Sequence, residues 1–380
     1  MRKRYCIFAA YYLPHLGGIE RYVYNLATKL VERGEHVTIV TSQVSGLPLC
    51  EMKEGIEIYR LPSYDLLGGR FPIAKWNDDT RKIFHVLSQK HFDLVIINAR
   101  FYVLSILAAL FARKTKSKCI VLEHGSGHLT VHNRFFDFLG ERYEHFHTWI
   151  LKRICKNYYG TCKACNEWLE HFHIKSKGII YNAINIQEVE AAKQEKKFYR
   201  EKYNIPSDAV VITFTGRLIG EKGILNLLQA VEQNNKRYVE KVYLFIAGMG
   251  DLEAEIKEHQ SEYIIPLGQI EHKEVFKLLS ESDIYCLPSV SEAFCGGVLE
   301  AVACKCYVIT TSRGGSKELI SSKAFGTIID KNDSATVLEA LRWCVCNTEM
   351  CEKAIKKAYD KLINNYTWDI IVEDVQKLVK

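Results

Sequence analysis

Runs of apolar residues alternate with amphipathic stretches along most of the chain. In the first half, the apolar runs predict strands at 4–10, 36–42, 55–61, 92–99, 118–124, 157–161 and 178–183. In the second half, they predict strands at 209–216, 241–248, 263–269, 283–289, 306–312 and 325–330. Intervening stretches such as 20–33, 75–90, 222–233 and 251–260 have helical spacing. Continuous apolar strands separated by helices predict parallel sheets covered on both faces.

The alternation loosens near residue 185, and the segment 186–206 is polar and rich in lysine and glutamate. A length of 380 residues also favours two domains over one. We therefore predict an α/β protein with two doubly wound, Rossmann-like domains, the first over 1–185 and the second over 186–366. Ligands of such folds bind at the carboxyl ends of the strands, so the ligand is expected in the cleft between the domains.

Composition narrows the class of protein only a little. The hydrophobic fraction of 48% and the charged fraction of 25% are those of a globular protein, and the net charge of +6 does not require nucleic acid as a partner. Thirteen cysteines are scattered, and the one C-x-x-C pair, Cys162 and Cys165, lacks a second half at zinc-site spacing. Reduced thiols in a cytosolic protein are expected. No apolar run reaches the roughly 18–20 residues of a membrane span.

Two glycine-containing turns could hold phosphate groups. Gly17 and Gly18 directly precede a predicted helix, where backbone N–H groups can bind a phosphate, although a tight turn explains them equally well. Gly216 and Arg217 end a predicted strand, and Lys222 follows at the next helix. Two cations at one strand–helix junction suit a diphosphate, and a solvated basic turn is the alternative.

Two further patterns carry weaker signals. Gly248 lies in a G-x-G sequence without the third glycine of a dinucleotide fingerprint, so it indicates a close-approach loop with or without a direct ligand. The histidines at 128, 132, 145 and 147 lie near one another in sequence. His128 and His132 have helical i,i+4 spacing but no H-E-x-x-H motif, so no zinc site is predicted.

The stretch SEAFCGGVLE, residues 291–300, carries two carboxylates on either side of a glycine pair. It follows the predicted strand 283–289 and leads into a helix that begins near Gly297. Glu292 is expected in the loop and Glu300 about one helical turn inside the helix. A carboxylate can accept vicinal hydroxyls of a ribose or hexose. Favourable charge at a helix N-terminus explains only one of the two.

Taken together, these segments resemble the family 4 retaining glycosyltransferases of GT-B architecture. The matching pieces are LGGIERYVYNLA, EHG at 123–125, TGRLIGEKG, AGMGDLE, LPSVSEAFCGGVLEAVAC, RGGSKELI and YTWDIIVEDVQKL. They span nearly the whole chain in the family's order. The resemblance implies that the C-terminal helix, 367–380, packs back on the first domain.

The resemblance also implies a role for each matching residue. Glu300 would bind the ribose, Glu292 the donor sugar, and Arg217 and Lys222 the diphosphate. His124 would lie near the reacting sugar. The donor-binding set is completed by Gly17, Gly18, Gly216, Gly248, Phe294, Cys295 and Gly296. Departures from the family pattern are Cys295, Lys305, Tyr307, Ala183 and Asn185, which put donor-sugar orientation and local backbone shape in question.

The expected activity is transfer of a hexose or N-acetylhexosamine, with retention, from a UDP or GDP sugar to a hydroxyl of a lipid-linked glycan. Such transfer serves lipopolysaccharide, capsule or other cell-surface glycan synthesis. It needs no metal or other cofactor and no nucleic acid. A cytoplasmic protein is expected. Its basic clusters are explained equally well by a solvated helix face and by a peripheral contact on the anionic inner face of the membrane. The groups expected there are Arg113, Lys114, Lys116, Lys118, Lys152, Arg153 and Lys156, with Trp149, Ile150 and Leu151.

Three alternatives stay open on the sequence alone. A nucleotide-sugar epimerase of the same architecture would bind the nucleotide similarly and need no acceptor. A sugar-nucleotide-binding protein with a degenerate site would have no transfer activity. A dinucleotide dehydrogenase is disfavoured, because no complete G-x-G-x-x-G follows a predicted strand.

Overall fold

The computed structural model describes residues 2–15, 17–66, 71–128, 130, 133–194, 198–290 and 292–379. The chain forms two compact units, one of Met1–Asn182 with Trp368–Lys380 and the other of Ala183–Thr367. The division lies three residues before the boundary expected from the sequence at 185/186.

The first unit contains a seven-stranded sheet and a separate hairpin. Its strands are β1 (Arg4–Phe8), β2 (His36–Ser42), β3 (Cys50–Lys53), β4 (Ile56–Leu61), β5 (Ser63–Leu66), β6 (Phe71–Ala74), β7 (Leu94–Asn98), β8 (Lys118–Glu123) and β9 (Tyr158–Gly160). Its first five helices are α1 (Gly18–Glu32), α2 (Asp78–Ser88), α3 (Val103–Lys114), α4 (Arg134–Ile154) and α5 (Lys163–His171).

The sheet order is β3-β4-β2-β1-β7-β8-β9, and β5 pairs with β6 in the hairpin. Every neighbouring pair in the large sheet is parallel except β3 with β4. The chain passes from β1 to β2 on one side and later returns to β7 on the other side. The carboxyl ends of β1 and β7 therefore form a topological switch point, where open α/β sheets bind ligands.

The second unit has a six-stranded sheet. Its strands are β10 (Val210–Thr215), β11 (Val242–Ala247), β12 (Ile264–Gly268), β13 (Ile284–Leu287), β14 (Tyr307–Thr311) and β15 (Thr327–Ile329). Its helices are α6 (Ile186–Lys193), α7 (Tyr199–Lys202), α8 (Ile224–Arg237), α9 (Glu253–Glu258), α10 (His272–Ser280), α11 (Gly296–Ala303), α12 (Ser316–Leu319), α13 (Ser334–Cys346) and α14 (Thr348–Asn365). All strands are parallel, in the order β12-β11-β10-β13-β14-β15, so β10 and β13 flank the switch point.

The last helix, α15 (Trp368–Lys377), packs on α1 of the first unit. The Trp368 ring meets the Tyr22 ring edge-on, with centroids 5.1 Å apart. Arg33 Nη2 donates to the carbonyl oxygen of Asp369 at 2.9 Å and forms an ion pair with Glu373. Aromatic and charged contacts together fix the tail on this helix.

The predicted α/β class with two doubly wound parallel sheets is confirmed, but one strand assignment is wrong and three strands were missed. The segment 178–183 is not a strand, since it forms only an isolated bridge between Gly160 and Ile179 at the sheet edge. The short strands β3, β5 and β6 were not predicted. Their residues are mostly exposed or half-buried and therefore lack a continuous apolar run. No helix among the described residues combines the length and apolar character needed to cross a bilayer.

Candidate functional site

The switch point of the second unit brings together two residues that lie 70 positions apart in the sequence. Lys222 ends the 3-10 turn that follows β10, and Glu292 lies in the loop after β13. Lys222 Nζ lies 2.5 Å from Glu292 Oε1. The lysine side chain is 17% exposed and the glutamate 8%, so the ion pair is largely withdrawn from water. The residue expected to bind the diphosphate, Lys222, and the residue expected to bind the sugar, Glu292, therefore contact each other directly.

Backbone contacts hold these two loops against each other. Val290 N donates to the Glu221 carbonyl at 2.8 Å, and Ser289 Oγ donates to the same oxygen at 3.0 Å. Gly223 has φ of 70°, and a Cβ there would lie 2.2 Å from the Pro288 carbonyl oxygen. Only glycine allows this approach without strain. The positions of Lys222 and Glu292 are therefore set by the backbone as well as by their own ion pair.

Arg217, the second expected diphosphate ligand, lies in the same loop but in a different environment. It is exposed. Its guanidinium has no hydrogen bond or ion pair with any residue that the structure describes. An exposed guanidinium presents several donors to an anion such as phosphate. Lys222 is held in place by a carboxylate, whereas Arg217 is available to an anion from solution.

Backbone conformation explains Gly216, and close packing between neighbouring loops also explains Gly248. They have φ of 148° and 150°, and a Cβ on Gly248 would lie 1.8 Å from the Gly216 carbonyl oxygen. Gly216 N donates to the Ala247 carbonyl at 3.0 Å, and Gly248 N to that of Gly268 at 2.8 Å. Their expected contact with the donor stays a prediction, because the positive φ at both positions and the close packing at Gly248 already favour glycine.

Glu300 lies one turn inside α11, at the position expected from the sequence. Its Oε1 is 2.8 Å from Nε2 of His272, the first residue of α10. The glutamate side chain is 13% exposed and the histidine 28%. His272 fixes the orientation of this carboxylate. Sequence reasoning missed His272, because no motif connects it to residue 300.

The residues that lead into α11 can act through their backbone. Phe294 is buried, and its ring centroid lies 5.4 Å from that of Tyr366, so its side chain serves packing. Cys295 is the N-cap residue and Gly296 the first residue of α11. Burial, and then the nearby Glu292 carboxylate, raise the pKa of the Cys295 thiol to about 12. The first N–H groups of a helix lack acceptors within that helix and can bind oxygen atoms of a ligand.

In the first unit, α1 begins at Gly18, and its N-cap residue is Gly17. A buried carboxylate already lies at this helix end, since a Cβ on Gly17 would be 2.4 Å from Glu20 Oε2. Burial raises the pKa of Glu20, and backbone N–H groups of Glu20 and Gly17 together with His15 oppose that rise. A phosphate at Gly17 and Gly18 therefore requires the Glu20 carboxylate to move, which the sequence did not indicate.

His124 follows β8 directly, and the end of β7 fixes its ring. Asn98 Nδ2 donates to the Phe8 carbonyl at 3.2 Å, which leaves Asn98 Oδ1 to accept from His124 Nε2 at 3.0 Å. This assigns the proton to Nε2 and leaves a lone pair on Nδ1. The ring packs edge-on against Tyr22, with centroids 5.0 Å apart. Burial lowers the pKa of His124 to about 3, so the imidazole is neutral.

A buried charge network supports the loop that carries His124. Glu123 Oε1 accepts from the backbone N–H groups of His124 and Gly125 at 3.1 and 2.9 Å. Arg100 Nε lies 2.9 Å from Glu123 Oε2, as an ion pair without hydrogen-bond alignment. Arg100 Nη2 donates to Glu144 Oε2 at 2.9 Å. Burial raises the pKa of Glu123, and Arg100 opposes that rise.

The surface expected at a membrane is only partly as predicted. Leu151 is fully buried, so placing it on that surface was wrong: its side of α4 faces the core. Trp149 is 49% exposed, and the Arg153 guanidinium lies 3.4 Å from its ring centroid. Lys152 and Lys118 donate to the carbonyl oxygens of Phe172 and Leu378. His132, in the histidine cluster noted in the sequence, lies outside the described residues.

Comparison with known proteins agrees with this geometry. Residues 16–188 match the family model Glycosyltransferase Family 4, and residues 195–361 match Glycosyl transferases group 1. An uncharacterized glycosyltransferase of Methanocaldococcus jannaschii is 24% identical over 395 residues, which cover 100% of this chain and 98% of the relative. One subunit of the human phosphatidylinositol N-acetylglucosaminyltransferase is 21% identical over 391 residues, covering 98% of this chain and 75% of the relative. The structure of Anabaena Alr3699/HepE in complex with UDP-glucose matches with a TM-score of 0.76 at 14% identity, over 99% of each chain.

Proposed function

Since the chain belongs to the group 1, family 4 glycosyltransferases and has their GT-B fold, we propose that it transfers a sugar from a UDP-linked donor to an acceptor hydroxyl, with retention. A hexose or N-acetylhexosamine is the donor sugar. The base is proposed from the structural relative that is complexed with UDP-glucose. The observation that carries the proposal is the Lys222–Glu292 pair at the switch point of the second unit.

The charged groups of the candidate site in the second unit each have a place in donor binding. Glu300, held by His272, accepts the ribose hydroxyls. Lys222 and the exposed Arg217 stabilise the diphosphate as negative charge develops on it. Losing one donor to such a developing charge typically costs about 3–4 kcal/mol of transition-state stabilisation. These two cations can supply the charge compensation without a metal ion, and we propose that transfer is metal-independent.

The pairing of both carboxylates favours same-face attack. Glu292 is held by Lys222 and Glu300 by His272, so neither is placed as a nucleophile. In the proposed step, the bond from the anomeric carbon to the leaving phosphate oxygen breaks. The acceptor oxygen then bonds to that carbon from the same face, and its proton passes to the leaving diphosphate. The assignment of His124 to the reacting sugar stays a prediction. Its neutral imidazole would act there as a hydrogen-bonding group.

We propose a lipid-linked acceptor, reached by peripheral contact with the cytoplasmic face of an anionic membrane. The human relative is named as part of a phosphatidylinositol N-acetylglucosaminyltransferase. One helix of the first unit also exposes an unusual amount of apolar surface. Large apolar side chains exposed on α4 are Phe135, Phe136, Phe138, Leu139, Phe146 and Trp149. Aromatic groups together with nearby basic residues suit a membrane interface.

A nucleotide panel tests the donor class. The thermal midpoint is measured with UDP, GDP, ADP and their common sugar conjugates, without added metal. A ligand at 100 times its dissociation constant stabilises the protein by about 2.7 kcal/mol, a rise of roughly 5–10 °C for a unit of this size. We expect this rise with UDP conjugates. A rise with GDP conjugates alone would overturn the choice of base, and no rise with any nucleotide would overturn the proposed donor site.

Turnover with matched variants tests the assigned cations. Arg217→Ala should lower the rate of sugar transfer about 100-fold to 1,000-fold. Arg237→Ala removes an exposed arginine at the end of α8 and should leave the rate unchanged. Equal rates for the two variants would remove Arg217 from the mechanism. Release of an epimerised sugar nucleotide without acceptor would favour the epimerase over the transferase.

A further inference from the structure

Three histidines from separate segments of the first unit meet on one side of α4. His128 lies in the loop after β8, His145 is on α4, and His171 ends α5. One ring nitrogen from each lies within 4.8 Å of the other two. The sequence alone predicts no zinc site among these histidines. In the fold, His171 of α5 lies beside His145 of α4 and joins the cluster.

Two of these nitrogens already have the spacing of ligands on one metal ion. His145 Nε2 lies 3.2 Å from His171 Nε2. Zinc binds histidine nitrogen at roughly 2.0–2.1 Å in tetrahedral geometry, which separates neighbouring ligand nitrogens by about 3.3 Å. The separation of these two nitrogens therefore already fits a single ion bound to both.

The third histidine is oriented by a carboxylate. His128 Nδ1 lies 3.2 Å from Glu144 Oε2. Its Nε2 is buried and has no hydrogen-bond partner among the described residues. A histidine whose Nδ1–H is held by a carboxylate presents its other nitrogen as a more basic ligand, as in many metal sites. Glu141 Oε1 lies 4.0 Å from this Nε2, one helical turn before His145 on α4.

The surrounding charge favours a cation at this position. Arg100 is the guanidinium partner of both Glu123 and Glu144, so one positive charge faces two carboxylates in the buried network. His128 Nδ1 contacts the same Glu144 oxygen, Oε2, that accepts from Arg100. A cation bound to His128 Nε2 would lie on the far side of the imidazole from Glu144 and would partly compensate the negative charge of that carboxylate.

We propose that His128, His145 and His171 bind one divalent transition-metal ion, with Glu141 as the fourth ligand. Three imidazoles and a carboxylate suit Zn²⁺, and also accept Co²⁺ and Ni²⁺. The ion ties the loop that begins at His124 to α4 and α5. Its role is structural, and it takes no part in sugar transfer.

Cobalt provides a direct test on the untagged, chelator-treated full-length protein. Titration with Co²⁺ should give the visible absorption bands of a tetrahedral ion, saturating at one equivalent, and Zn²⁺ should abolish them. His145→Gln and His171→Gln should each weaken Co²⁺ binding at least tenfold. His85→Gln is the matched control, because this exposed histidine of α2 lies outside the cluster. The absence of saturable bands, or unchanged affinity in both cluster variants, would overturn the proposal.

A second measurement uses the unaltered protein and does not depend on how the variants fold. The chain has 13 histidines, so ten lie outside the proposed site. Diamagnetic Zn²⁺ should shift the imidazole proton resonances of His128, His145 and His171 in NMR spectra at one equivalent and leave the other ten unchanged. Shifts spread over unrelated histidines, or none in these three, would contradict a single specific site.

Discussion

Replacing Lys222 by methionine removes one charge of the Lys222–Glu292 pair and keeps most of the aliphatic stem. Glu292 is only 8% exposed, so its carboxylate would be left nearly dry and without this partner. Removing one partner of a buried ion pair costs about 3–5 kcal/mol. Because the lysine is 17% exposed, we expect the lower end, about 3 kcal/mol. That corresponds to a fall of roughly 6–12 °C in the thermal midpoint.

A control pair separates this effect from the general loss of a lysine. Lys257 Nζ lies 2.9 Å from Glu253 Oε1, but those side chains are 61% and 36% exposed. Exposed pairs of this kind contribute about 0.5 kcal/mol, so Lys257→Met should lower the midpoint by no more than about 2 °C. Urea denaturation of both variants gives the free energies of unfolding directly.

The double variant Lys222→Met with Glu292→Gln completes the cycle. Once the carboxylate is neutral, the missing ammonium matters less, so the double variant should be more stable than Lys222→Met alone by about 1–2 kcal/mol. The reasoning fails if Lys222→Met is no more destabilising than Lys257→Met. It also fails if the two single effects simply add, since the pair would then carry no coupling energy.

Further predictions concern a loop glycine, Gly248, and two histidines, His124 and His272. Gly248→Ala would place a methyl group 1.8 Å from a carbonyl oxygen of the next loop. It should lower the free energy of unfolding, measured in urea, by about 3 kcal/mol. In the control Gly220→Ala, the methyl group meets nothing within 4 Å, and the free energy of unfolding should change by less than about 0.5 kcal/mol. Burial lowers the pKa of His124 from 6.5 to about 3. Between these two pH values, His124 binds a proton in the unfolded chain but not in the folded one. Stability should therefore fall by about 1–2 kcal/mol more between pH 7 and pH 5 in the wild type than in His124→Gln. His272→Gln should weaken UDP binding about tenfold by calorimetry, whereas His259→Gln, also 2.8 Å from a glutamate oxygen, should leave it unchanged.

The sequence was sufficient where a pattern is long or continuous. All the expected strands except 178–183 are present, and the central ones, such as β7 and β11, are buried and apolar. The edge strand β3 was missed because only its pairing with β4 makes CEMK a strand. At position 305, where the family pattern has glycine, Lys305 adopts a left-handed backbone with φ of 65°, a conformation that glycine adopts without strain.

Side-chain partners were the part that sequence could not supply. Lys222 and Glu292 were each predicted to bind the same donor, but their direct contact depends on the adjacency of β10 and β13. His272 and Asn98 have no motif of their own and became visible only through the carboxylate and imidazole that they contact. The Glu20 carboxylate beside Gly17 illustrates the same limit. The same sequence pattern is expected for a turn that binds a phosphate and for a turn whose helix end already has a carboxylate of its own.

The two cations of the candidate site should contribute to donor binding in different ways. Lys222 is already positioned and largely desolvated by Glu292, so its charge acts in a medium where electrostatic interactions are strong and poorly screened by salt. Arg217 is exposed and must be ordered when a diphosphate arrives. Raising the ionic strength should therefore weaken the contribution of Arg217 to nucleotide affinity and leave that of Lys222 nearly intact. The measurement is the nucleotide affinity of a Lys222→Met and an Arg217→Ala variant, each compared with the wild type at low and high salt. Equal salt dependence of the two losses would mean that the Glu292 contact does not shield Lys222 from solvent.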